Sequence, residues 1–453
     1  MKVVFVNAPV VRSKSSSAEN DFRTDGPLIP RWMDRFRLLR NAHALVSRSL
    51  LGGEIRYGFR AGSRWPFTLD RPTSYAPFPF FMAYAAAGLK EKGVDVTILD
   101  AIALREYSYD RFLSRIKEEN ADIVVVECST PTIDIDLWFA NKVAEFGEVA
   151  LAGPHLNAET VAELMPENPA ISYFLIGEYI LSVLDLVNER RKGVYESRIL
   201  KDLDSFSFPF RDYPGATNYY DPSMPTAKPQ LQVYGSKGCP FKCTFCAWPQ
   251  NMYFGNVAKR SPGSIAREIR EAVEKQGYKS IFFDDDTFNL GNKRIAEICD
   301  ELKDIGLPWT MMGRLDCSPP WVYDKMVESG CVGMRFGIES FNLDVLARVK
   351  KGIERKDFKA ILEHITYTHP QLMIHLTMMK DMPGMTDEIH ENDMKILHDM
   401  GYSTDNIFRS YQLSHCAPFP GTELYREMQE LIPVEELNDY KNYDGGLSTV
   451  MKS

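Results

Sequence analysis

Three cysteines, Cys239, Cys243 and Cys246, lie within eight residues at the spacing C-x3-C-x2-C. Thiolates are the ligands of iron–sulfur clusters, and a short loop with this spacing can place three of them on one face of a cubic cluster. One iron of a four-iron cluster would then stay open to a ligand from outside the protein. A structural zinc site usually takes four ligands in two pairs, and this sequence has no second C-x2-C pair. The spacing therefore favours an iron–sulfur cluster over a zinc site or a disulfide.

The cysteine motif, with Phe245 before its last cysteine, resembles that of the radical S-adenosylmethionine (SAM) superfamily. The resemblance implies that a 4Fe-4S cluster binds SAM through the amino and carboxylate groups of its methionine part. It also implies that one electron from the cluster cleaves SAM to methionine and a 5′-deoxyadenosyl radical. The next four residues, Ala247-Trp248-Pro249-Gln250, resemble the cobalamin-binding branch of the superfamily. Cobalamin is therefore expected as a third cofactor.

The composition is typical of a globular protein with two domains. The chain has 453 residues, 44% of them hydrophobic and 25% charged, and this length exceeds one ordinary core. The net charge of −9 argues against a nucleic-acid partner bound through phosphates. No apolar run approaches the roughly 18 residues of a membrane span. The five other cysteines are scattered singly, as is usual in a reducing compartment, so we expect a cytoplasmic protein.

The first half of the chain alternates between strand and helix patterns, which predicts an α/β domain with a doubly wound, Rossmann-like parallel sheet. The predicted strands cover residues 3–6, 94–99, 123–126, 149–152 and 173–176. Such sheets bind ligands beyond the carboxyl ends of their strands.

Small and polar residues follow these predicted strands, and their order resembles the cobalamin-binding domain of cobalamin-dependent radical SAM enzymes. The resemblance implies that the following residues contact cobalamin: Asn7, Pro9, Ser129, Thr130, Gly153, Pro154, His155, Gly177 and Glu178. The motif D-x-H-x-x-G is absent, so no histidine is expected as the lower cobalt ligand. We expect His155 instead to pack around the nucleotide tail. The alternative is a nucleotide-binding or purely scaffolding domain.

The second half predicts six β/α units, two fewer than a closed eight-fold barrel. The predicted strands cover residues 231–234, 280–283, 309–312, 332–338, 372–378 and 407–413. We therefore expect an open, partial (β/α)6 barrel whose chemistry lies at the carboxyl-terminal face. Charged residues follow three of the strands, and the resemblance implies SAM-binding roles for them and for Phe245. Asp284, Asp285 and Asp286 would approach the methionine amino group, Arg314 and Glu339 the carboxylate and ribose, and the Phe245 backbone the adenine.

The expected domains are a cobalamin-binding domain over residues 1–195, a linker over 196–230, the barrel over 231–430 and a short tail over 431–453. An insertion over residues 10–76 carries nine arginines between positions 31 and 71. It is either a solvated surface insertion or a lid over an anionic cofactor or substrate.

The resemblance implies a radical SAM enzyme, and a C-methyltransferase acting on an unactivated carbon is the leading interpretation. The alternatives are a cobalamin-dependent rearrangement or cyclisation without methyl transfer and, in another class, a non-catalytic metal-binding protein. The expected partners are a small-molecule substrate, anionic or lipid-like in character, and an electron donor such as flavodoxin or ferredoxin.

Overall fold

A computed structural model of the chain describes residues 1–13, 55–58, 68–69, 75–353, 358–440, 443 and 450–451. The chain divides into two compact units. The first comprises Met1–Arg198 and Pro209–Ala216, and the second comprises Ile199–Phe208 and Thr217–Ser453. Nearly all of the arginine-rich insertion lies outside the described residues, so its role stays a prediction.

The first unit is built on a six-stranded parallel sheet. Its strands are β1 (Lys2–Asn7), β5 (Asp95–Asp100), β6 (Ile123–Glu127), β7 (Glu148–Ala152), β8 (Tyr173–Leu175) and β9 (Gly193–Tyr195). A separate antiparallel sheet holds β2 (Val11–Ser13), β3 (Ile55–Gly58) and β4 (Thr68–Leu69). The large sheet has the order β5-β1-β6-β7-β8-β9, and every neighbouring pair is parallel. β1 lies inside this sheet and is buried from its second residue onward, as expected of a strand covered on both faces.

Six α-helices accompany the strands in the part of this unit that the structure describes. They are α1 (Phe80–Glu91), α2 (Ala101–Leu104), α3 (Tyr109–Glu118), α4 (Ile133–Ala144), α5 (Ala158–Glu167) and α6 (Ile180–Glu189). Ten consecutive residues of α1, from Phe80 to Leu89, are buried, since its sequence is apolar on every side. The strand order reverses between β1 and β6. The predicted doubly wound sheet is therefore confirmed, although α6 and the short edge strand β9 were not predicted.

The second unit contains another six-stranded parallel sheet and a small hairpin. The sheet strands are β10 (Gln230–Val233), β13 (Ser280–Phe283), β14 (Trp309–Gly313), β15 (Cys331–Glu339), β16 (Met373–Lys380) and β17 (Arg409–His415). The hairpin pairs β11 (Ser236–Lys237) with β12 (Ala258–Lys259). Each sheet strand pairs with the next in the chain, from β10 to β17. All six predicted strands of this half are confirmed, with β16 and β17 ending two residues later than expected.

Helices alternate with these strands and form the outer layer of the partial barrel. They are α7 (Pro262–Gln276), α8 (Asn292–Ile305), α9 (Pro320–Glu328), α10 (Leu343–Arg348), α11 (Phe358–Thr368), α12 (Asp387–Asp399), α13 (Glu423–Met428) and α14 (Val434–Leu437). Ser261 caps α7 through the backbone N–H of Ser264, and Pro262 is its first residue, as predicted. No helix among the described residues is long and apolar enough to cross a membrane.

Side chains at alternate positions of the barrel strands face two different environments. One set packs against the helices in a single core that includes Ile281, Met334 and Leu376. Residues from the opposite face include Arg335, which forms a buried ion pair with Asp221 at 2.8 Å. At the end of the chain, Leu437, Tyr443 and Val450 are buried in one cluster with Leu424. The predicted tail over 431–453 is thus packed against the unit where the structure describes it.

Candidate functional site

The cysteine loop is enclosed by the β11–β12 hairpin, which follows the carboxyl end of β10. Ser236 pairs with Lys259 and Lys237 with Ala258, so the hairpin joins the two ends of the loop. Gly238 begins the loop with φ +85°, and a Cβ there would lie 2.1 Å from the carbonyl oxygen of Asn256. Only glycine permits both the left-handed backbone and this close approach.

Two carboxylates after β13 hold the start of the loop. Asp285 accepts hydrogen bonds from the backbone N–H groups of Gly235 at 2.8 Å and Ser236 at 2.6 Å, and from the Ser236 hydroxyl at 2.8 Å. Asp286 accepts one from the N–H of Gly238 at 2.9 Å. Burial raises the pKa of Asp285 to about 6, against the opposing effect of these bonds. Asp285 and Asp286 thus position the loop, and contact of the triplet with SAM stays a prediction.

Gln250 holds the other side of the loop. It lies in a π-helical turn, Trp248–Met252, directly after the cysteines. Its Nε2 lies within hydrogen-bond distance of three loop carbonyls, those of Cys243 (3.2 Å), Thr244 (3.2 Å) and Cys246 (3.0 Å). Its Oε1 accepts a hydrogen bond of 2.8 Å from the N–H of Glu423, the first residue of α13. One side chain therefore fastens the cysteine loop to the end of the barrel.

The three thiols share one site. All eight cysteines of the chain are free, and Cys243 is buried while Cys239 and Cys246 are partly exposed. Burial raises the pKa of Cys246 well above its usual value, and the neighbouring Cys243 and Cys239 raise it further. Cys239 Sγ lies 3.4 Å from the hydroxyl of Thr287. Three sulfur donors at one strand end are the donor set that a 4Fe-4S cluster with one open iron requires.

Arg314 follows β14 and directs its guanidinium at this site. It pairs with both oxygens of Asp316 at 2.9 Å and donates to the carbonyl of Lys351 at 2.7 Å. Its Nη1 atom lies 3.9 Å from the sulfur of Cys243, and its carbon Cζ lies 3.6 Å from the centre of the Phe241 ring. These contacts place its charge beside a cysteine ligand, and a direct contact with the SAM carboxylate stays a prediction.

Glu339 ends β15 with a left-handed backbone, at φ +68°. Its Oε1 accepts a hydrogen bond of 2.9 Å from Lys351, and both side chains are buried. Its Oε2 is also buried and has no hydrogen-bond partner among the described residues. A buried carboxylate oxygen in this state favours a ligand that donates an N–H or an O–H. Phe245, the remaining residue predicted to bind SAM, is partly buried against the cluster around Leu424.

The nine residues predicted to bind cobalamin lie at the carboxyl ends of parallel strands in the first unit. Asn7 ends β1 and donates to Asp100 of β5 at 3.2 Å, while its Oδ1 is buried without a hydrogen-bond partner among the described residues. Pro9 follows shortly after. Gly177 and Glu178 follow β8, and Gly177 has φ +64°. Because the strand order reverses between β1 and β6, the crevice expected of this fold opens beside Asn7.

The segments after β6 and β7 are hydrogen-bonded to one another. The Nδ1 atom of His155 lies 3.1 Å from the hydroxyl of Thr130, and Ser129 donates its N–H to Asp136 at 3.0 Å. Gly153, which precedes Pro154, has φ +127°, and a Cβ there would lie 2.2 Å from the carbonyl oxygen of Cys128. Burial lowers the pKa of His155 to about 3, so its imidazole is neutral. The structure thus brings Thr130 and His155 together at this edge, and their contact with cobalamin stays a prediction.

Gln250 was predicted only as part of the motif Ala247-Trp248-Pro249-Gln250, with no contact assigned to it, and Lys351 and Thr287 were not predicted. Gln250 could have been noticed from its place four residues after Cys246, one helical turn away. Lys351 lies in the loop after α10, and no local pattern links it to Glu339 twelve residues earlier.

Comparison with known proteins supports the resemblance to radical SAM proteins. Residues 233–396 match the radical SAM superfamily. An uncharacterised methyltransferase of Pyrococcus horikoshii is 27% identical over 380 residues, which cover 77% of each chain. The bacteriochlorophyllide d C-12(1)-methyltransferase of Chlorobaculum tepidum is 24% identical over 264 residues. That match covers 57% of this chain and only 55% of the relative.

A solved structure shares the architecture of both units. It is the radical SAM methyltransferase TsrM from Kitasatospora setae with cobalamin and a [4Fe-4S] cluster bound. The TM-score is 0.59 at 16% identity, over 79% of this chain and 73% of TsrM. This likeness confirms the predicted fold class, a doubly wound sheet followed by a partial barrel. With the cysteine loop, the match of residues 233–396 to the radical SAM superfamily supports an enzyme whose second unit contains a radical SAM region.

Proposed function

We propose that this chain is a cobalamin-dependent radical SAM C-methyltransferase that acts on an unactivated carbon of a small molecule. One observation carries the proposal. A single chain combines a preformed loop of three thiols at the carboxyl edge of a partial barrel with a doubly wound sheet that has a switch point of its own. The first feature fits an iron–sulfur cluster, and the second is the usual ligand position of such sheets.

Cys239, Cys243 and Cys246 would hold the cluster, and SAM would occupy its open iron. When bound, the cluster supplies the electron that cleaves SAM, and cobalamin supplies a carrier for the methyl group. The chain itself contributes position. Asp285, Asp286 and Gln250 fix the backbone of the loop that carries the three thiols.

Arg314 and Glu339 would serve the site electrostatically. The guanidinium beside Cys243 would favour the reduced cluster, which is the more negatively charged form, because it places a positive charge next to a ligand sulfur. Glu339 keeps one acceptor oxygen in a buried position, which suits the amino or hydroxyl groups of SAM. Lys351 pairs with that carboxylate at 2.9 Å, so its charge is balanced in the interior.

In the first unit, Asn7 offers an acceptor oxygen at the switch point, which suits the amide N–H groups of the corrin side chains. His155 is neutral and buried, and it contacts Thr130. We infer that it does not serve as the lower cobalt ligand and instead supports the loop that would face the nucleotide tail. The names of the two relatives, both methyltransferases, and the cobalamin bound in TsrM support the same proposal.

Anaerobic assay of the reconstituted full-length protein with SAM, cobalamin and a reductant tests the proposal. We expect 5′-deoxyadenosine together with S-adenosylhomocysteine. A methylating enzyme of this kind would use SAM twice, as the source of the radical and as the methyl donor to cobalamin. 5′-Deoxyadenosine alone, in a protein with cobalamin bound, would point to a rearrangement or cyclisation. Absence of both products in a protein with a full cluster would leave only metal binding.

Cobalamin binding has its own test. We expect the full chain to bind cobalamin, and the EPR spectrum of its Co(II) form to lack superhyperfine splitting from a nitrogen ligand. Splitting of that kind would show a histidine or the nucleotide base on cobalt. We further propose a small redox protein of the flavodoxin or ferredoxin class as the electron donor, which a reduction assay with either protein would test.

A further inference from the structure

A second group of metal-binding side chains lies in the outer helix layer of the second unit. It consists of Asp324 on α9, His364 on α11 and His369 in the turn after α11. The three donor atoms lie within 4.8 Å of one another. Among the described residues no other three such side chains bring their donor atoms this close together, and the group contains none of the three cysteines of the loop.

The geometry of the group is convergent. The Nε2 atoms of His364 and His369 lie 2.9 Å and 2.7 Å from the same oxygen, Oδ1 of Asp324. The two rings are nearly perpendicular, with an angle of 83° and centroids 6.4 Å apart. Two imidazoles and a carboxylate that point at one small volume are the ligand set of a three-residue metal site, which needs only water to complete it.

Rigid backbone carries all three ligands. On α9, Tyr323 precedes Asp324 and Met326 follows it two residues later, and both are fully buried in the core. The N–H of His369 donates to the carbonyl of Ile365 at 3.1 Å, and the carbonyl of His369 accepts a hydrogen bond from the N–H of Leu372 at 3.0 Å. The turn that presents His369 is therefore fixed before a ligand arrives, so little ordering entropy opposes binding.

The three side chains are only partly buried, which leaves room for the remaining ligands of a metal ion. The side chains of Asp324 and His364 are each 33% exposed and that of His369 is 17% exposed. Water can therefore reach the site from one side. The two nitrogen donors select a transition metal, because Mg²⁺ and Ca²⁺ prefer sites made of oxygen ligands alone.

We propose that Asp324, His364 and His369 bind one divalent transition metal ion of the Zn²⁺ class, with water in the remaining positions. The ion links α9 to α11 and so stabilises the wall of the partial barrel. The turn that holds His369 leads into the amino end of β16, whereas the cysteine loop follows the carboxyl end of β10. The site is therefore at the opposite edge of the sheet from the cluster loop and independent of it.

The test uses the full-length protein with its cluster reconstituted and excess iron removed. Titration with Co²⁺ should show one site per chain, with visible bands of nitrogen and oxygen ligation and no thiolate charge-transfer band. Zn²⁺ should compete for it. Zn²⁺ at about 100 times its Kd should raise the Tm of this unit by roughly 5 °C or more.

Three substitutions each weaken the site: His364→Ala and His369→Ala remove a ligand, and Asp324→Asn removes the negative charge. Each should weaken Co²⁺ binding at least about tenfold and abolish the rise in Tm, while His398→Ala, at an exposed position of α12, should change neither. Asp324→Asn keeps the shape of the side chain, so it answers the question even if an alanine variant folds poorly. The Cys239→Ala, Cys243→Ala, Cys246→Ala triple variant should keep the site. Binding that survives all three ligand substitutions, or that disappears with the cysteines, would overturn the proposal.

Discussion

Polar side chains at the carboxyl edges of the two parallel sheets of this protein make different contacts. In the second unit, polar side chains at the edge hold backbone: Asp285 and Asp286 bind N–H groups of the cysteine loop, and Gln250 binds its carbonyls. In the first unit, Asp136 likewise holds the backbone N–H of Ser129, but polar side chains at the edge also contact one another across neighbouring strand ends. Asn7 contacts Asp100, and Thr130 contacts His155.

The difference indicates which part of each edge has a fixed geometry. A loop fixed through its backbone presents side chains of fixed direction, which suits a metal cluster with exacting geometry. An edge of paired side chains keeps the strand ends in register and leaves backbone and small residues to face a large ligand. We therefore expect substitutions in the second unit to act on the cluster, and substitutions in the first to act on folding and on cobalamin.

The largest effect should come from the cysteines. Replacing Cys239, Cys243 and Cys246 together with Ala should abolish the cluster, which chemical analysis of the reconstituted protein would otherwise find at about four iron and four sulfide per chain. Cys317→Ala and Cys331→Ala are the matched controls and should retain it, although Cys331 is buried in the core and its loss should lower stability. A full cluster in the triple variant would contradict the whole assignment.

Gln250→Ala should give the next largest effect. The substitution removes the contacts that link the loop carbonyls to α13, so we expect the free energy of unfolding of this unit to fall by about 3 kcal/mol. The cluster should assemble and then be lost faster in air, as followed by its visible absorption. Gln429→Ala, at the exposed C-cap of α13, is the control. Equal behaviour of the two variants would show that Gln250 does not hold the loop.

Much of this site was predictable because its strongest signal is local. Cys239, Cys243 and Cys246 are close in sequence, and the strand-end residues Arg314 and Glu339 follow apolar runs that are easy to recognise. The β/α alternation likewise predicted both sheets, since buried parallel strands are continuous apolar runs.

The rest depends on contacts that cross the chain. Gln250 meets Glu423 across 173 positions, and Asp285 reaches Ser236 across 49. The edge strand β9 has only three residues and begins with Gly193, so no run marks it. The position of Asp285 at a strand end is visible in the sequence, and the family resemblance implied that it binds SAM, whereas its hydrogen bonds to the loop are not visible there.

Arg314 offers a finer test of the second unit. Arg314→Gln removes the positive charge beside Cys243, so we expect the reduction potential of the cluster to fall by on the order of 100 mV. Arg314→Lys keeps the charge and should restore most of the difference, even though it loses the paired contact with Asp316. An EPR-monitored redox titration measures both. An unchanged potential in Arg314→Gln would restrict this residue to a structural role.

The smallest effect concerns pH and compares the two units directly. His155 in the first unit and His375 in the second are buried, and burial lowers their pKa from 6.5 to about 3 and about 4. Each folded unit binds fewer protons at its histidine than the unfolded chain does, so stability is complete above pH 6.5 and falls as pH drops below it. The slope approaches about 1.4 kcal/mol per pH unit for each histidine and ends near the folded pKa. Hydrogen exchange of β6 and β7, corrected for the intrinsic rate, should show this loss between pH 6.5 and 5, and His155→Gln should flatten it there while leaving β16 unchanged. A variant that flattens both sheets alike would mean that the two units unfold together, and that their edges cannot be perturbed separately.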